Sequence, residues 1–144
     1  MLLTMRALAL GGRLLTCYAA TIGGARGELL ITVAKAWCTD AGVEAASLGV
    51  QVHGGMGFIE ETGAAQHLRD ARILPIYEGT NGIQAIDLVT RKLPLGGGAV
   101  VAAQIARYRD SAEKARRIND PAFERVGKSV GDAVEALQRA TDHM

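Results

Sequence analysis

The sequence predicts an all-α protein, an antiparallel helical bundle followed by a C-terminal helical pair, and three observations carry that prediction. Apolar residues make up 49% of the 144 residues but aromatics only 4%, so Ala, Leu, Val and Ile must do the packing. Ala- and Leu-rich segments with few β-branched runs favour closely packed helices. Apolar positions recur at three- and four-residue intervals, and no segment reads as a strand, an internal repeat or a low-complexity tract.

The first segment, Leu2 to about Ile22, places Leu3, Ala7, Leu10, Leu14, Leu15 and Tyr18 at helical spacing. Gly23, Gly24 and Gly27 predict a break. A long helix is expected from Glu28 to about Val52, with Leu30, Val33, Trp37, Ala41, Leu48 and Val52 as its stripe and Trp37 in the core. Gly54, Gly55 and Gly57 end it. A short helix follows, from about Gly63 to Leu74, stopped by Pro75. Thr80 or Asn81 is an N-cap candidate for the next helix, about Gly82 to Lys92, whose basic end suits the helix dipole. Pro94 to Gly98 is the clearest linker. Beyond it one helix spans about Ala99 to Ile118, with Ile105, Tyr108, Ala112 and Ala115 inward. The last spans about Pro121 to His143, with Phe123, Val126, Val130, Val134 and Leu137 as its stripe.

Sixteen basic and fifteen acidic residues leave a formal net charge of +1. That balance supplies no footprint for a nucleic acid or an anionic membrane. Cys17 and Cys38 form neither a metal knuckle nor a disulfide framework, and read as reduced thiols in a cytoplasmic protein. His53 and His67 lack a metal-ligand spacing, so no metal site is expected. The apolar N-terminus lacks a basic region ahead of it, and Gly11-Gly12-Arg13 interrupts it before it reaches bilayer length. It reads as an amphipathic core helix.

Two segments bear on chemistry. Three glycines in Gln51-Val52-His53-Gly54-Gly55-Met56-Gly57-Phe58 expose backbone N–H groups and admit a polar ligand edge or a phosphate, or else simply terminate a helix. In Tyr77-Glu78-Gly79-Thr80 an acid occupies a turn between helices. Such a group is either a solvated or capping carboxylate, or a general base on an apolar-flanked turn whose basicity rises when substrate excludes water.

Taken in order, Gln51-x-x-Gly54-Gly55-x-Gly57-Phe58, Leu68-Arg69-Asp70-Ala71 and Ile76-Tyr77-Glu78-Gly79-Thr80-Asn81-x-Ile83-Gln84 resemble the signature region of the acyl-CoA dehydrogenases. The resemblance covers roughly Leu2 to Leu93. Ala34-Lys35-Ala36 and the alanine-rich stretch after it look like that family's long penultimate bundle helix. Residues 94–98 and 99–144 look like a Gly-rich linker and the helical extension of longer members.

The resemblance implies roles for particular residues. Glu78 aligns with the base that removes the α-proton of an acyl-CoA thioester while the β-hydrogen leaves as hydride to FAD. Gly79 aligns with a backbone contact to substrate. Gln51, Val52, His53, Gly54 and Gly55 match the stretch touching the adenosine-diphosphate half of a neighbouring subunit's FAD. Thr80, Asn81 and Gly82 match further cofactor positions. Many members carry Gln where this chain has Gly82, so only backbone is offered there. Arg69, Asp70 and Arg72 are expected to form structural ion pairs.

The family's N-terminal helical domain and middle β domain have no counterpart here, and Met1 falls about where the second bundle helix would begin. The resemblance therefore implies an incomplete catalyst that needs a homo-oligomer or a partner chain, with an electron-transfer acceptor downstream. Relatives that are oxidases or have lost dehydrogenation are not separated by this region. A different class also fits, a non-catalytic helical interaction module that docks through an apolar face. In that reading Arg107, Arg109, Arg116 and Arg117 add a contact surface or simply a solvated helix face.

Overall fold

The structure is a computed structural model in which residues 1–143 are described, and among them there are seven α-helices and no strand. The helices are α1 (Leu2–Thr21), α2 (Gly24–Val52), α3 (Gly55–Phe58), α4 (Ala64–Ile73), α5 (Asn81–Asp87), α6 (Ala99–Arg116) and α7 (Pro121–Asp142). The chain divides into two compact units, residues 1–88 and 89–144.

In the first unit only Ile22 and Gly23 separate α1 from α2, so the two helices double back and pack side by side. Ala19, Leu30 and Ala34 form a buried cluster, with Leu15 and Ile22 against it. Gly11 and Gly12 do not break α1. The helix runs through them, and their bare faces receive α2: a Cβ on Gly11 would stand 3.1 Å from the Trp37 ring, and one on Gly12 3.7 Å from the Cys38 sulfur. Trp37 is thus a lid on α1 rather than a core residue, and 41% of it stays exposed. Gly27, expected in the break, lies inside α2. It is glycine because the Ile22 carbonyl passes where a Cβ would go. The α2 core face is accordingly Leu29, Leu30, Ala34 and Ala41, while Val33 and Val52 face solvent. Both α4 and α5 pack against α2. Burial of the α1–α2 seam leaves Leu2, Leu3, Leu10 and Leu14 of α1 exposed, Leu3 by 81%.

The helical end of the unit also departs from expectation. Thr80 is the cap of α5, its hydroxyl accepting from the Ile83 N–H at 3.3 Å. The helix then widens after Asp87 into a π-type turn over Leu88–Lys92.

In the second unit α6 and α7 form a hairpin. Asp120 caps α7 by accepting from the Ala122 N–H at 2.7 Å, with Pro121 in the first turn. Gly127 and Gly131 sit against Arg116, whose Cγ lies 2.6 Å from a notional Gly127 Cβ. Ile105 is fully buried in this unit, and Val101, Ala112 and Val134 are buried as well. Of the expected α7 stripe only Val134 is buried, and Phe123, Val126, Val130 and Leu137 face outward. Of the arginines singled out in this unit, Arg109 lies 3.0 Å from Glu135 of α7 and Arg117 3.7 Å from Glu113 one turn earlier, both pairs solvent-accessible. No described helix is long and apolar enough to cross a membrane.

Candidate functional site

The candidate residues fall at two places, a turn bonded to the middle of α2 and the glycine segment at its C-terminal end. Glu78 occupies the turn between α4 and α5. Pro75 ends helical propagation there, and the turn closes with the Tyr77 N–H on the Ile73 carbonyl at 3.2 Å and the Asn81 N–H on Pro75 at 3.1 Å. Glu78 has φ of 55°, making it the one described non-glycine residue in the left-handed region, and Gly79 follows at 84°. The left-handed region is costly for Glu78, which carries a Cβ, but not for Gly79, and such strain concentrates at functional sites. Glu78 is exposed, and Ile76 and Tyr77 beside it present about half their surfaces.

Long-range hydrogen bonds tie this turn to the middle of α2. Lys35 Nζ donates to the Gly79 carbonyl at 2.8 Å and to Asn81 Oδ1 at 3.0 Å. Asn81 Nδ2 lies 3.1 Å from the Ala36 carbonyl, 3.0 Å from Thr39 Oγ1 and 2.8 Å from Asp40 Oδ1. The Asn81 side chain therefore points into the protein, so of the residues carried over as cofactor contacts it offers only backbone outward. Lys35, Thr39 and Asp40 were not singled out from the sequence. Their signal there is faint: polar groups spaced four and five apart on an otherwise alanine-rich helix.

The glycine segment lies at the C-terminal end of α2, at least twelve residues beyond Thr39, or about 18 Å along the axis at 1.5 Å per residue. Gln51, Val52, His53, Gly54 and Gly55 are all exposed. Gly54 has φ of 62°, and neither it nor Gly55 has any atom within 4 Å of where a Cβ would stand. The chain does not stop there as expected but makes the single turn α3. Gly57 in that turn is buried beneath the Val50 carbonyl. His53 Nδ1 lies 2.8 Å from the Gly49 carbonyl, which can only accept, so Nδ1 is the donor in that bond. Beside it, His53, Thr62, His67, Met5 and Gly49 line an open cavity of about 420 Å³.

Of the residues expected to form ion pairs, Arg69 does so on the surface, while Asp70 takes a neutral amide donor. Arg69 lies 3.4 Å from Glu60 and donates to Gln66, which in turn donates to Asp70 at 2.6 Å. No group of three or more potential metal ligands occurs among the described residues. Cys38 is half-buried against α1, and desolvation pushes its thiol pKa up.

Comparison with known proteins bears on what these places are. Residues 1–94 match the family model described as "Acyl-CoA dehydrogenase, C-terminal domain". The chain is 44% identical to a 3-methylmercaptopropionyl-CoA dehydrogenase of Ruegeria pomeroyi over 100% of its own length and 27% of the relative's. It is 34% identical to a butyryl-CoA dehydrogenase of Syntrophomonas wolfei over 74% of the chain and 17% of that protein. It is 40% identical to the human mitochondrial short-chain specific acyl-CoA dehydrogenase over 56% of the chain and 20% of that protein. The chain thus spans about a quarter or less of the length of these relatives. It belongs to the acyl-CoA dehydrogenase family, in which residues 1–94 correspond to the C-terminal helical domain.

Proposed function

We propose that this chain is the portion of a flavin-dependent acyl-CoA dehydrogenase that carries the base for α,β-dehydrogenation, Glu78. The observation that carries the reading is backbone strain at that one residue. A carboxylate held at φ 55°, ahead of a left-handed glycine and fastened to α2 from behind, is what a positioned proton acceptor needs. The thioester carbonyl acidifies the substrate's α-carbon, and the Glu78 carboxylate accepts that proton once acyl-CoA and the adjoining domains exclude water. Gly79 brings backbone close to the thioester without a side chain in the way. The chemistry a bound FAD would supply there is that of a hydride acceptor for the β-hydrogen.

The residues present fit such a cofactor in part. The open backbone at Gly54 and Gly55 and the exposed edge of Gln51, Val52 and His53 suit a dinucleotide's phosphate and sugar. The Thr80 hydroxyl accepts the Ile83 N–H and keeps its own hydrogen to donate. Asn81 and Gly82 contribute main chain alone.

The rest of the acyl-CoA and flavin site would come from segments outside this chain or from a partner subunit, and reduced flavin would pass its electrons to a separate acceptor. The unpartnered Leu2, Leu3, Leu10 and Leu14 face of α1 supports that arrangement. The same face favours the second reading, a helical interaction module without chemistry. To separate the two, the chain replaces the matching C-terminal segment of the Ruegeria relative. A yellow, active chimera that loses at least about a hundredfold in turnover on Glu78→Gln, flavin retained, supports the base assignment. Near-normal turnover in that variant refutes it, and a folded chimera without flavin supports the interaction module.

A further inference from the structure

We infer that Lys35 and Asn81 are positioning residues for the Glu78 turn, an ammonium and an amide that hold a strained main chain in its catalytic shape from the α2 side. The inference rests on the reading of Glu78 as base, but its physical content is independent of that reading.

The turn's local bonds act on the main chain either side of Glu78, and Lys35 adds one at Gly79 from outside it. Its own contacts are main-chain hydrogen bonds from Ile76, Tyr77, Asn81 and Gln84, the Ile83 N–H on the Thr80 hydroxyl, and a weak bond from Gln84 Nε2 to the Glu78 carbonyl at 3.5 Å. Against these stand two consecutive left-handed residues, one with a full side chain. A Cβ-bearing residue relaxes from that region unless its surroundings over-determine it.

Lys35 and Asn81 supply that constraint across 44 to 46 residues of sequence. Lys35 donates to the Gly79 carbonyl at 2.8 Å, a charge-assisted bond that fixes the plane of the peptide one residue after strained Glu78. The same ammonium donates to Asn81 Oδ1, so one cation reaches the turn on both sides of Thr80. Asn81 is in turn locked to α2, its Nδ2 within reach of the Ala36 carbonyl, Thr39 Oγ1 and Asp40 Oδ1. Lys35 and Asn81 are both partly buried, where such bonds are stronger than at a wet surface. The anchoring helix is itself fixed by burial of Leu30, Ala34 and Ala41, so the turn is referred to rigid backbone. Neither Lys35 nor Asn81 is given a role in the proton transfer. They decide where the carboxylate stands.

Amide hydrogen exchange on the 144-residue chain tests this directly. Lys35→Met, which keeps the stem and removes the donor, is expected to speed exchange in residues 76–82 about tenfold or more, with α1 protection unchanged. Lys35→Arg, which keeps a charged donor, restores most of it. Asn81→Ala gives the same local loosening by a second route, should Lys35→Met fail to fold. Equal loosening of α1 and the turn, or none in either, overturns the inference, as does failure of Lys35→Arg to rescue. In the chimera, Lys35→Met lowers kcat about tenfold while KM for acyl-CoA moves little, and an effect confined to KM also overturns it. If Glu78→Gln left turnover intact, the base assignment would fall, whereas local loosening of the turn by Lys35→Met would stand.

Discussion

Gly57 lies directly beneath the Val50 carbonyl and 2.8 Å, at its notional Cβ, from the β-carbon of His53. One turn of α3 is folded back onto the last turn of α2, and only a residue without a side chain fits between them. The exposed Gly54–Gly55 backbone owes its position to that contact. Gly57→Ala is expected to cost about 1–3 kcal/mol, from backbone overlap with no room to relax. Gly55→Ala, with nothing near its Cβ, costs less than about 1 kcal/mol. Thermal unfolding of the two variants checks the difference, and equal midpoints would contradict the packing.

The conformation of Glu78 makes a second prediction, in which losing the carboxylate is held constant. Glu78→Gly and Glu78→Ala both delete the acid, but only glycine adopts φ 55° without strain. The glycine variant should be the more stable of the two by about 1 kcal/mol. Denaturant titration reads this. An alanine variant as stable as the glycine one would mean that the left-handed backbone is not retained in solution.

The two thiols should differ in reactivity. Burial raises the Cys38 pKa and shields its sulfur, whereas Cys17 is exposed, and the accessible thiolate is the nucleophile. Iodoacetamide should label Cys17 first, by roughly fivefold or more, with the gap narrowing as pH rises through the Cys38 value. The linkage has a definite sign. A folded-state pKa above the unfolded one gives stability that is complete below the unfolded value and lost as pH rises through the folded value. Peptide mapping of partially alkylated protein decides it, and faster labelling of Cys38 would contradict its burial.

What was legible in the sequence was local. Three- and four-residue spacing marks helix existence, and the helices from Leu2 to Asp142 lie close to where periodicity puts them. What was not legible was which face of each helix finds a partner. Trp37 and Val33 belong to the apolar stripe of α2 by spacing, yet the buried face is set by α1 approaching over Gly11 and Gly12. Glycines were ambiguous for the same reason. Gly12 and Gly27 look like interruptions in one dimension and are close approaches in three. The order of motifs brought out Glu78, but no local pattern revealed that Lys35 stands behind it, because that bond spans 44 residues. Asn81 shows the limit at the level of one residue: its position in the motif was readable, the direction of its amide was not.

The long helix α2 serves both candidate places, and its geometry ties them together. Thr39 and Asp40 anchor the acid-bearing turn, while Gln51 and His53 lie at the far end where the glycines begin. A helix behaves as a rigid screw, so adding one residue to α2 between Asp40 and Gln51 would swing the glycine segment by about 100° around the axis and push it about 1.5 Å further away. Length in this stretch is therefore fixed by rotation as much as by distance. Exposed side chains there can change, but the number of residues cannot.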